Sequence, residues 1–145
     1  VYEMCGITYP DVYTFDLKGA KIANLLEDIA DNVFNSNPLL QQGGDMSRLG
    51  GVTYSIAVAA KSGERISNLM IGGKPIDLDK TYSVSSWGGN LQKAGENLQT
   101  DKIRAVYDIT RDYIKRQKVI NVSNEGNVTV VDYDCGCPVK DSKSC

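Results

Sequence analysis

The spacing of apolar side chains changes at Gly19, and this change constrains the fold more than any other feature of the sequence. Before Gly19, the residues Tyr13, Phe15 and Leu17 alternate with polar residues, which is the period of a half-buried strand. After Gly19, one apolar stripe follows the period of an α-helix: Ile22, Leu25, Leu26, Ile29 and Val33. The sequence therefore predicts a strand followed directly by an amphipathic helix, which closes before Pro38.

The acidic residues of this helix fall away from its apolar stripe. Glu27, Asp28 and Asp31 are the carboxylates concerned. Because charged residues on an amphipathic helix usually face water, we expect these three on a solvated helix face. The pattern thus predicts no site on the helix itself.

The rest of the chain contains further strand-like runs and one more helix. Alternating or apolar runs predict strands at 52–58, 65–71, 74–77, 81–86 and 127–133. Gly72-Gly73 is a turn signal that predicts a hairpin between 65–71 and 74–77. Asp101 is expected to be the N-cap of a helix that runs to about Gln117. Since strands and helices do not alternate strictly, the order predicts an α+β fold with a mixed β-sheet and two main helices.

The chain contains no histidine among its 145 residues. It therefore has no Ser-His-Asp or Cys-His catalytic group and no imidazole metal ligand. A formal net charge of −2 provides no broad basic surface for nucleic-acid phosphates. No apolar run reaches the roughly 20 residues of a membrane-spanning helix. We expect neither nucleic acid nor a membrane among its partners.

Three of the four cysteines, Cys135, Cys137 and Cys145, lie at the end of the sequence, and Cys5 lies near its start. A disulfide within the tail, free thiols, and a zinc site completed by Cys5 all remain open. The chain starts at Val1 with neither an initiator methionine nor a signal peptide. We expect it to be part of a longer protein or a processed mature chain.

A glycine-rich loop at 41–51 contains the first candidate ligand-binding residues. Arg48 carries a planar fork of donors that suits an oxyanion. Asp45, which follows Gly44, is a candidate to orient that arginine or to contact a ligand. The alternative interpretation is a surface ion pair between Asp45 and Arg48, worth about 0–1 kcal/mol.

A second glycine-rich loop, 87–95, begins with Trp87, the only tryptophan of the chain. At the end of a predicted strand, this side chain either lines a pocket or caps the core. Neither loop matches the G-x-G-x-x-G or G-x-x-x-x-G-K-S/T patterns. The glycines therefore do not predict a phosphate loop.

Several of these segments together resemble the C-terminal domain of the 5′-nucleotidase superfamily. The motifs that carry the resemblance are Thr8-Tyr9-Pro10, Leu17-Lys18-Gly19, Leu26-Glu27-Asp28, Ala30-Asp31-Asn32, Gly50-Gly51-Val52-Thr53-Tyr54-Ser55-Ile56, Arg65-Ile66-Ser67-Asn68-Leu69, Gly73-Lys74-Pro75-Ile76-Asp77 and Lys80-Thr81-Tyr82. The resemblance covers about residues 6–120. It implies one substrate-recognition domain at 1–134, followed by the Cys-containing tail 135–145.

Within the superfamily, the chain is most similar to the SoxB family, the sulfate thiohydrolases of the sulfur-oxidation pathway. This likeness rests on Thr8-Tyr9-Pro10, on Leu26-Glu27-Asp28 with Ala30-Asp31-Asn32, on the run Gln41-Gln42-Gly43-Gly44-Asp45-Met46 with Arg48, and on a tryptophan after the 81–86 strand. Ordinary 5′-nucleotidases carry an aromatic residue and a Gly-Gly-Asp-Gly-Tyr-like run here to hold the nucleoside. This chain instead has Ser86-Trp87-Gly88-Gly89-Asn90, so the nucleoside clamp is missing or altered.

The resemblance also implies an activity for the whole protein. Enzymes of the SoxB family are periplasmic, and a dinuclear manganese centre in their N-terminal metallophosphoesterase domain releases sulfate from a cysteine S-thiosulfonate on the SoxYZ carrier. This chain would then be the substrate-binding domain, with no catalytic residue or metal ligand of its own. By the same resemblance, its substrate contacts are Gly44, Asp45, Arg48, Trp87 and Asn90.

Two alternatives remain beside this interpretation. One is the same domain of a 5′-nucleotidase or cyclic phosphodiesterase that acts on a small anionic substrate. The other is a stand-alone binding module without a catalytic partner domain.

Overall fold

The computed structural model describes residues 9–87, 91–117, 119–121 and 126–132. The chain divides into two compact units. The first comprises Val1–Ile22 with Asp77–Glu125, and the second Ala23–Ile76 with Gly126–Cys145. The predicted contact Asn90, the tail 135–145 and the cysteines considered for a disulfide, Cys135, Cys137 and Cys145, lie outside the described residues. Within the described part, no helix is long and apolar enough to span a membrane.

The secondary structure is mixed, as the order of periodic segments predicted. The elements are β1 (Asp11–Lys18), α1 (Gly19–Phe34), β2 (Val52–Ile56), β3 (Ile66–Ile71), β4 (Lys74–Pro75), β5 (Thr81–Trp87), α2 (Leu91–Ala94), β6 (Arg104–Ala105), α3 (Val106–Gln117) and β7 (Val128–Val130). Short 3₁₀ turns cover Pro38–Leu40 and Thr100–Lys102. The prediction of an α+β fold with two main helices is confirmed, and its strands form two separate sheets.

The first unit is built on a three-stranded antiparallel sheet with the order β5-β1-β6. The alternation in β1 places Phe15 and Leu17 in the core, where they are 0% and 4% exposed. Phe15 lies opposite Val84 of β5. Gly95 packs on the ring of Phe15, because a Cβ atom at Gly95 would lie 2.3 Å from Cδ2 of Phe15.

The second unit is built on a four-stranded sheet with the order β4-β3-β2-β7, in which β7 pairs parallel to β2 and the other pairs are antiparallel. Its buried apolar residues are Leu26 and Ala30 of α1 with Tyr54 and Ile56 of β2. The predicted hairpin is confirmed. Gly72 and Gly73 take φ values of 59° and 76°, the left-handed values that a tight two-residue turn between β3 and β4 requires.

The predicted start of the last helix is wrong. Asp101 lies in a 3₁₀ turn and does not cap α3, which begins at Val106. Arg104 and Ala105 instead pair with β1, and the amide of Val106 donates to the carbonyl of Pro10 at 2.8 Å. Pairing with a strand distant in sequence therefore delays the helix beyond its local capping signal.

The predicted solvated face of α1 is correct for Asp28 only. Asp28 is exposed, whereas Glu27 and Asp31 are partly buried. Glu27 accepts hydrogen bonds from the amides of Arg65 and Ile66, and Asp31 forms an ion pair with the Arg65 side chain. Two of the three carboxylates thus hold β3 against the helix.

Candidate functional site

The glycine-rich loop 41–51 begins in a segment that is tied to the end of α1. Asn37 caps the 3₁₀ turn by accepting a hydrogen bond from the amide of Leu39. The Gln41 side chain then donates to the carbonyl of Asn35 at 2.7 Å. The amide of Gly43 donates to the carbonyl of Asn32 at 3.0 Å. These bonds fix the direction in which the loop leaves the helix.

The far end of the loop is fixed as well. The side-chain amide of Asn127 donates to the carbonyl of Leu49 at 2.6 Å. The amide of Gly72 donates to the carbonyl of Gly51, whose φ of 73° favours glycine. Both ends of the loop are therefore anchored within the second unit.

Residues 44–48, which we call the loop tip, lie between these anchors. The tip makes no hydrogen bond or ion pair with any residue that the structure describes. Asp45 and Arg48 are both exposed, and the surface ion pair considered from the sequence is not formed between them. Gly44 faces open space, since a Cβ atom there would meet nothing within 4 Å. The tip thus exposes a carboxylate and a guanidinium to solvent.

Trp87 ends β5 in the first unit and lies opposite Val12 of β1. Its side chain is 56% exposed, so it is not a core residue. Of the five sequence-predicted contacts, Gly44, Asp45 and Arg48 share one loop tip and Trp87 belongs to the other unit. A role for Trp87 in ligand binding remains a prediction.

A cavity of about 320 Å³ in the second unit contains none of the sequence-predicted contacts. It lies between the end of α1 and the turn after β2, and its lining includes Asp31, Asn35, Lys61 and Arg65. Arg65 is only 5% exposed. The carboxylate of Asp31 and the negative end of the helix dipole offset the charge of Arg65, so the cavity is a poor anion site. Sequence reasoning missed Arg65 because it is the first residue of a predicted strand and resembles an ordinary boundary residue.

The turn that forms one wall of this cavity is held by Asp132. Its carboxylate accepts hydrogen bonds from the amide of Ala59 at 2.6 Å and from the amide of Val58 at 2.8 Å. These bonds, that from Ala59 above all, hold the pKa of Asp132 below its ordinary value. Asp132 therefore ties the segment after β7 to the turn after β2.

The sequence that forms these elements matches a known family. A family model described as 5′-nucleotidase, C-terminal domain, matches residues 1–91. The chain belongs to this family. The matched part includes the loop tip, the hairpin between β3 and β4, and Trp87. No match is found among the curated protein sequences.

Solved structures with the same fold include enzymes of two kinds. The sulfate thiohydrolase SoxB of Thermus thermophilus, in complex with glycerol, is 40% identical in sequence to this 5′-nucleotidase C-terminal domain, and the two structures match with a TM-score of 0.84. The match covers 90% of this chain and 24% of the SoxB chain. The 5′-nucleotidase precursor of Thermus thermophilus is 23% identical with a TM-score of 0.62, over 85% of this chain and 25% of that one. A putative 5′-nucleotidase of Staphylococcus aureus, in complex with α-ketoglutarate, is 20% identical with a TM-score of 0.59, over 83% of this chain and 27% of that one.

These matches differ in what they support. The two nucleotidases share the fold with this chain, whereas SoxB also shares a substantial part of its sequence. The chain spans only about a quarter of the length of each solved protein, between 24% and 27%. It therefore corresponds to one part of a larger enzyme in each case.

Proposed function

We propose that this chain is the C-terminal substrate-binding domain of a SoxB-like dimetal hydrolase that releases sulfate from a carrier-bound cysteine S-thiosulfonate. The observation that carries the proposal is the similarity to SoxB, at 40% identity and a TM-score of 0.84 over 90% of the chain. The nucleotidases reach only 20–23% identity and TM-scores of 0.59–0.62. The substrate would be presented by a SoxYZ-like carrier protein, and the enzyme would act in the periplasm.

The loop tip supplies the chemistry that this substrate requires of a binding domain. A sulfonate group carries its negative charge on several oxygens, and a guanidinium binds two such oxygens at once. Arg48 is exposed and has no ion-pair partner among the described residues, so its donors are available to a ligand. Gly44 leaves room for the ligand to approach the backbone. Asp45 orients the bound group, and Trp87 and Asn90 are the further substrate contacts of this proposal.

We propose that the dinuclear manganese centre lies in an N-terminal metallophosphoesterase domain and not in this chain. No group of three or more His, Cys, Asp or Glu residues in the described part of the chain is placed to hold a metal ion. The described donor set does not fit a dinuclear site. Arg48 and the residues around it bind and orient the substrate.

The experiment that tests this proposal compares substrates with the enzyme that carries both domains and its manganese. Sulfate release from a carrier protein with a cysteine S-thiosulfonate is measured beside phosphate release from nucleoside monophosphates and the hydrolysis of cyclic nucleotides to nucleoside monophosphates. The proposal predicts turnover of the carrier substrate and at most trace turnover of the nucleotides. Efficient nucleotide hydrolysis without sulfate release would identify a nucleotidase or a cyclic phosphodiesterase.

A protein that turns over neither substrate yet binds the S-thiosulfonate carrier would instead be a non-catalytic binding module. Ion chromatography distinguishes sulfate from phosphate directly. The unmodified carrier, with its cysteine as a free thiol, is the control for binding that does not depend on the sulfonate.

A further inference from the structure

The positively charged residue that contacts the C-terminal end of α1 belongs to another part of the chain. The last turn of α1 contains no basic residue, although the carbonyls at a helix end lack intrahelical partners and carry partial negative charge. Nη1 of Arg65 lies 3.2 Å from the carbonyl oxygen of Phe34, the last residue of α1. The same nitrogen lies 3.2 Å from the carbonyl oxygen of Val58. Arg65 thus joins the end of the helix to the turn after β2.

A continuous series of hydrogen bonds leads from Arg65 to the segment that carries the loop tip. Nη2 of Arg65 lies 3.4 Å from Oδ1 of Asp31, and the other oxygen of Asp31 accepts from the side chain of Asn35 at 3.0 Å. The side-chain oxygen of Asn35 accepts from the amide of Asn37 at 2.9 Å. The carbonyl of Asn35 accepts from the side chain of Gln41. Every group in this series is therefore oriented by the one before it.

The series ends where the loop tip begins. The amide of Gly43 donates to the carbonyl of Asn32, which belongs to the last turns of α1. A Cβ atom at Gly43 would lie 3.3 Å from Cγ2 of Val33, so the loop is in close contact with the helix at this point. A displacement of the end of α1 would move Gly43, and with it the start of the tip that contains Arg48.

The burial of Arg65 is consistent with such a role. Its Nε has no hydrogen-bond partner among the described residues although the atom is buried. A buried donor without a partner is destabilising, by about 1–3 kcal/mol. The other guanidinium nitrogens are directed at the helix end, the turn and Asp31, which are the parts that must keep a fixed arrangement.

We propose that Arg65 is a positioning residue for the loop tip. It fixes the end of α1 through Phe34, Asp31 and Asn35, and thereby sets the position from which Arg48 reaches the substrate. This proposal rests on the proposed function, because the tip needs a fixed position only if it binds substrate. Arg65 itself does not touch the substrate.

The test uses the enzyme that carries both domains, with the variants Arg65→Lys, Asn35→Ala and the double variant. Lys61→Ala is the matched control, because Lys61 lines the same cavity and its exposed side chain makes no hydrogen bond or ion pair with a described residue.

The readouts are KM and kcat for sulfate release and the hydrogen-exchange rate of the Gly43 amide. We expect KM to rise roughly 2- to 30-fold with kcat little changed, as networks of this kind modulate binding. We expect the Gly43 amide to exchange about tenfold faster or more, because its acceptor on the helix moves.

The double variant decides whether the residues act together. If Arg65 acts through Asn35, the double variant raises KM by less than the product of the two single effects. Unchanged KM and unchanged Gly43 exchange in a folded Arg65→Lys or Asn35→Ala enzyme would overturn the proposal. If Arg65→Lys fails to fold, Asn35→Ala alone decides, since it leaves the contacts of Arg65 with Phe34 and Val58 in place.

A wild-type enzyme that releases no sulfate would overturn the proposed function. KM for sulfate release could then no longer be measured. The exchange rate of Gly43 would still report whether Arg65 holds the loop. The two failures are therefore distinguishable.

Discussion

The carboxylate of Glu27 accepts a hydrogen bond from the backbone amide of Arg65 at 3.2 Å. Its second oxygen accepts from the next amide along the chain, that of Ile66, at 2.7 Å. One side chain of α1 thus satisfies two consecutive amides where β3 begins. These two hydrogen bonds fix the position of the start of β3 along α1 and place the Arg65 side chain against the end of the helix.

Replacement of Glu27 by alanine should therefore destabilise the fold. Two partly buried amides would lose a charged acceptor, and hydrogen bonds to charged groups contribute about 1.5–3 kcal/mol each. We expect the free energy of unfolding to fall by about 2–4 kcal/mol in urea denaturation. Asp28→Ala is the control on the same helix, because the Asp28 carboxylate is exposed and bonds no described residue. An equal effect of both substitutions would contradict the role of Glu27.

Gly95→Ala should destabilise the first unit. A Cβ atom at Gly95 would lie 2.3 Å from Cδ2 of Phe15, and Phe15 is fully buried and has no space into which to move. Overpacking of this kind is destabilising by about 1–3 kcal/mol. Gly50→Ala is the control, since a Cβ atom at Gly50 meets nothing within 4 Å. Thermal unfolding that shows the same midpoint for both variants would contradict the packing of Gly95 on Phe15.

These elements differ in how far the sequence predicts them. Strand β1, helix α1 and the hairpin at Gly72-Gly73 follow from local period and turn chemistry, so the sequence predicts them nearly to their ends. The start of α3 depends on a pairing between β6 and β1, which no local signal at Asp101 contains. Tertiary pairing overrides a capping signal there.

The candidate site, like the fold, can be predicted from the sequence only where local signals determine it. Local glycines predict the loop that carries Asp45 and Arg48, because such segments rarely pack in a core. The roles of Glu27 and Asp31 depend on Arg65, which comes from a different element. Their spacing of one helical turn was the available signal, since it places both carboxylates on the same side of α1. The residue that binds these two carboxylates cannot be identified from the sequence without knowledge of the fold.

The fold should also depend on pH through Asp132. Hydrogen bonds from the amides of Ala59 and Val58 hold its pKa below the ordinary value of 3.8. A carboxyl whose pKa is lower in the folded state stabilises the fold above its unfolded pKa, and this stabilisation is lost as the pH falls through the folded pKa. We expect urea unfolding at a series of pH values to give a higher free energy of unfolding for wild type than for Asp132→Asn. The difference should be constant above about pH 5 and smaller below about pH 4.

The control for this titration is Asp101→Asn, because the Asp101 side chain is exposed and forms no hydrogen bond with a described residue. It should keep the acid dependence of wild type. A difference between wild type and Asp132→Asn that stays constant throughout the acid range would contradict the hydrogen bonds assigned to Asp132.

Trp87→Ala should reduce substrate binding more than stability. The side chain is 56% exposed, so its removal should change the free energy of unfolding by less than about 1 kcal/mol. Loss of an aromatic contact with the substrate should lower kcat/KM for sulfate release by about 2- to 10-fold. Tyr113→Ala is the control in the same unit, because Tyr113 is an aromatic residue that is 46% exposed on α3. Equal kcat/KM for both variants would exclude Trp87 from the site.

The central claim is that the loop tip binds the sulfonate through Arg48. The most direct measurement is kcat/KM for sulfate release from the S-thiosulfonate carrier by Arg48→Ala in the enzyme that carries both domains. Arg116→Ala is the control, since Arg116 is an exposed arginine on α3 without an ion pair to a described residue. A charge-assisted pair contributes about 1.5–3 kcal/mol, so Arg48→Ala should lower kcat/KM on the order of 10- to 100-fold while Arg116→Ala keeps the wild-type value. Wild-type kcat/KM in a folded Arg48→Ala enzyme would contradict the account.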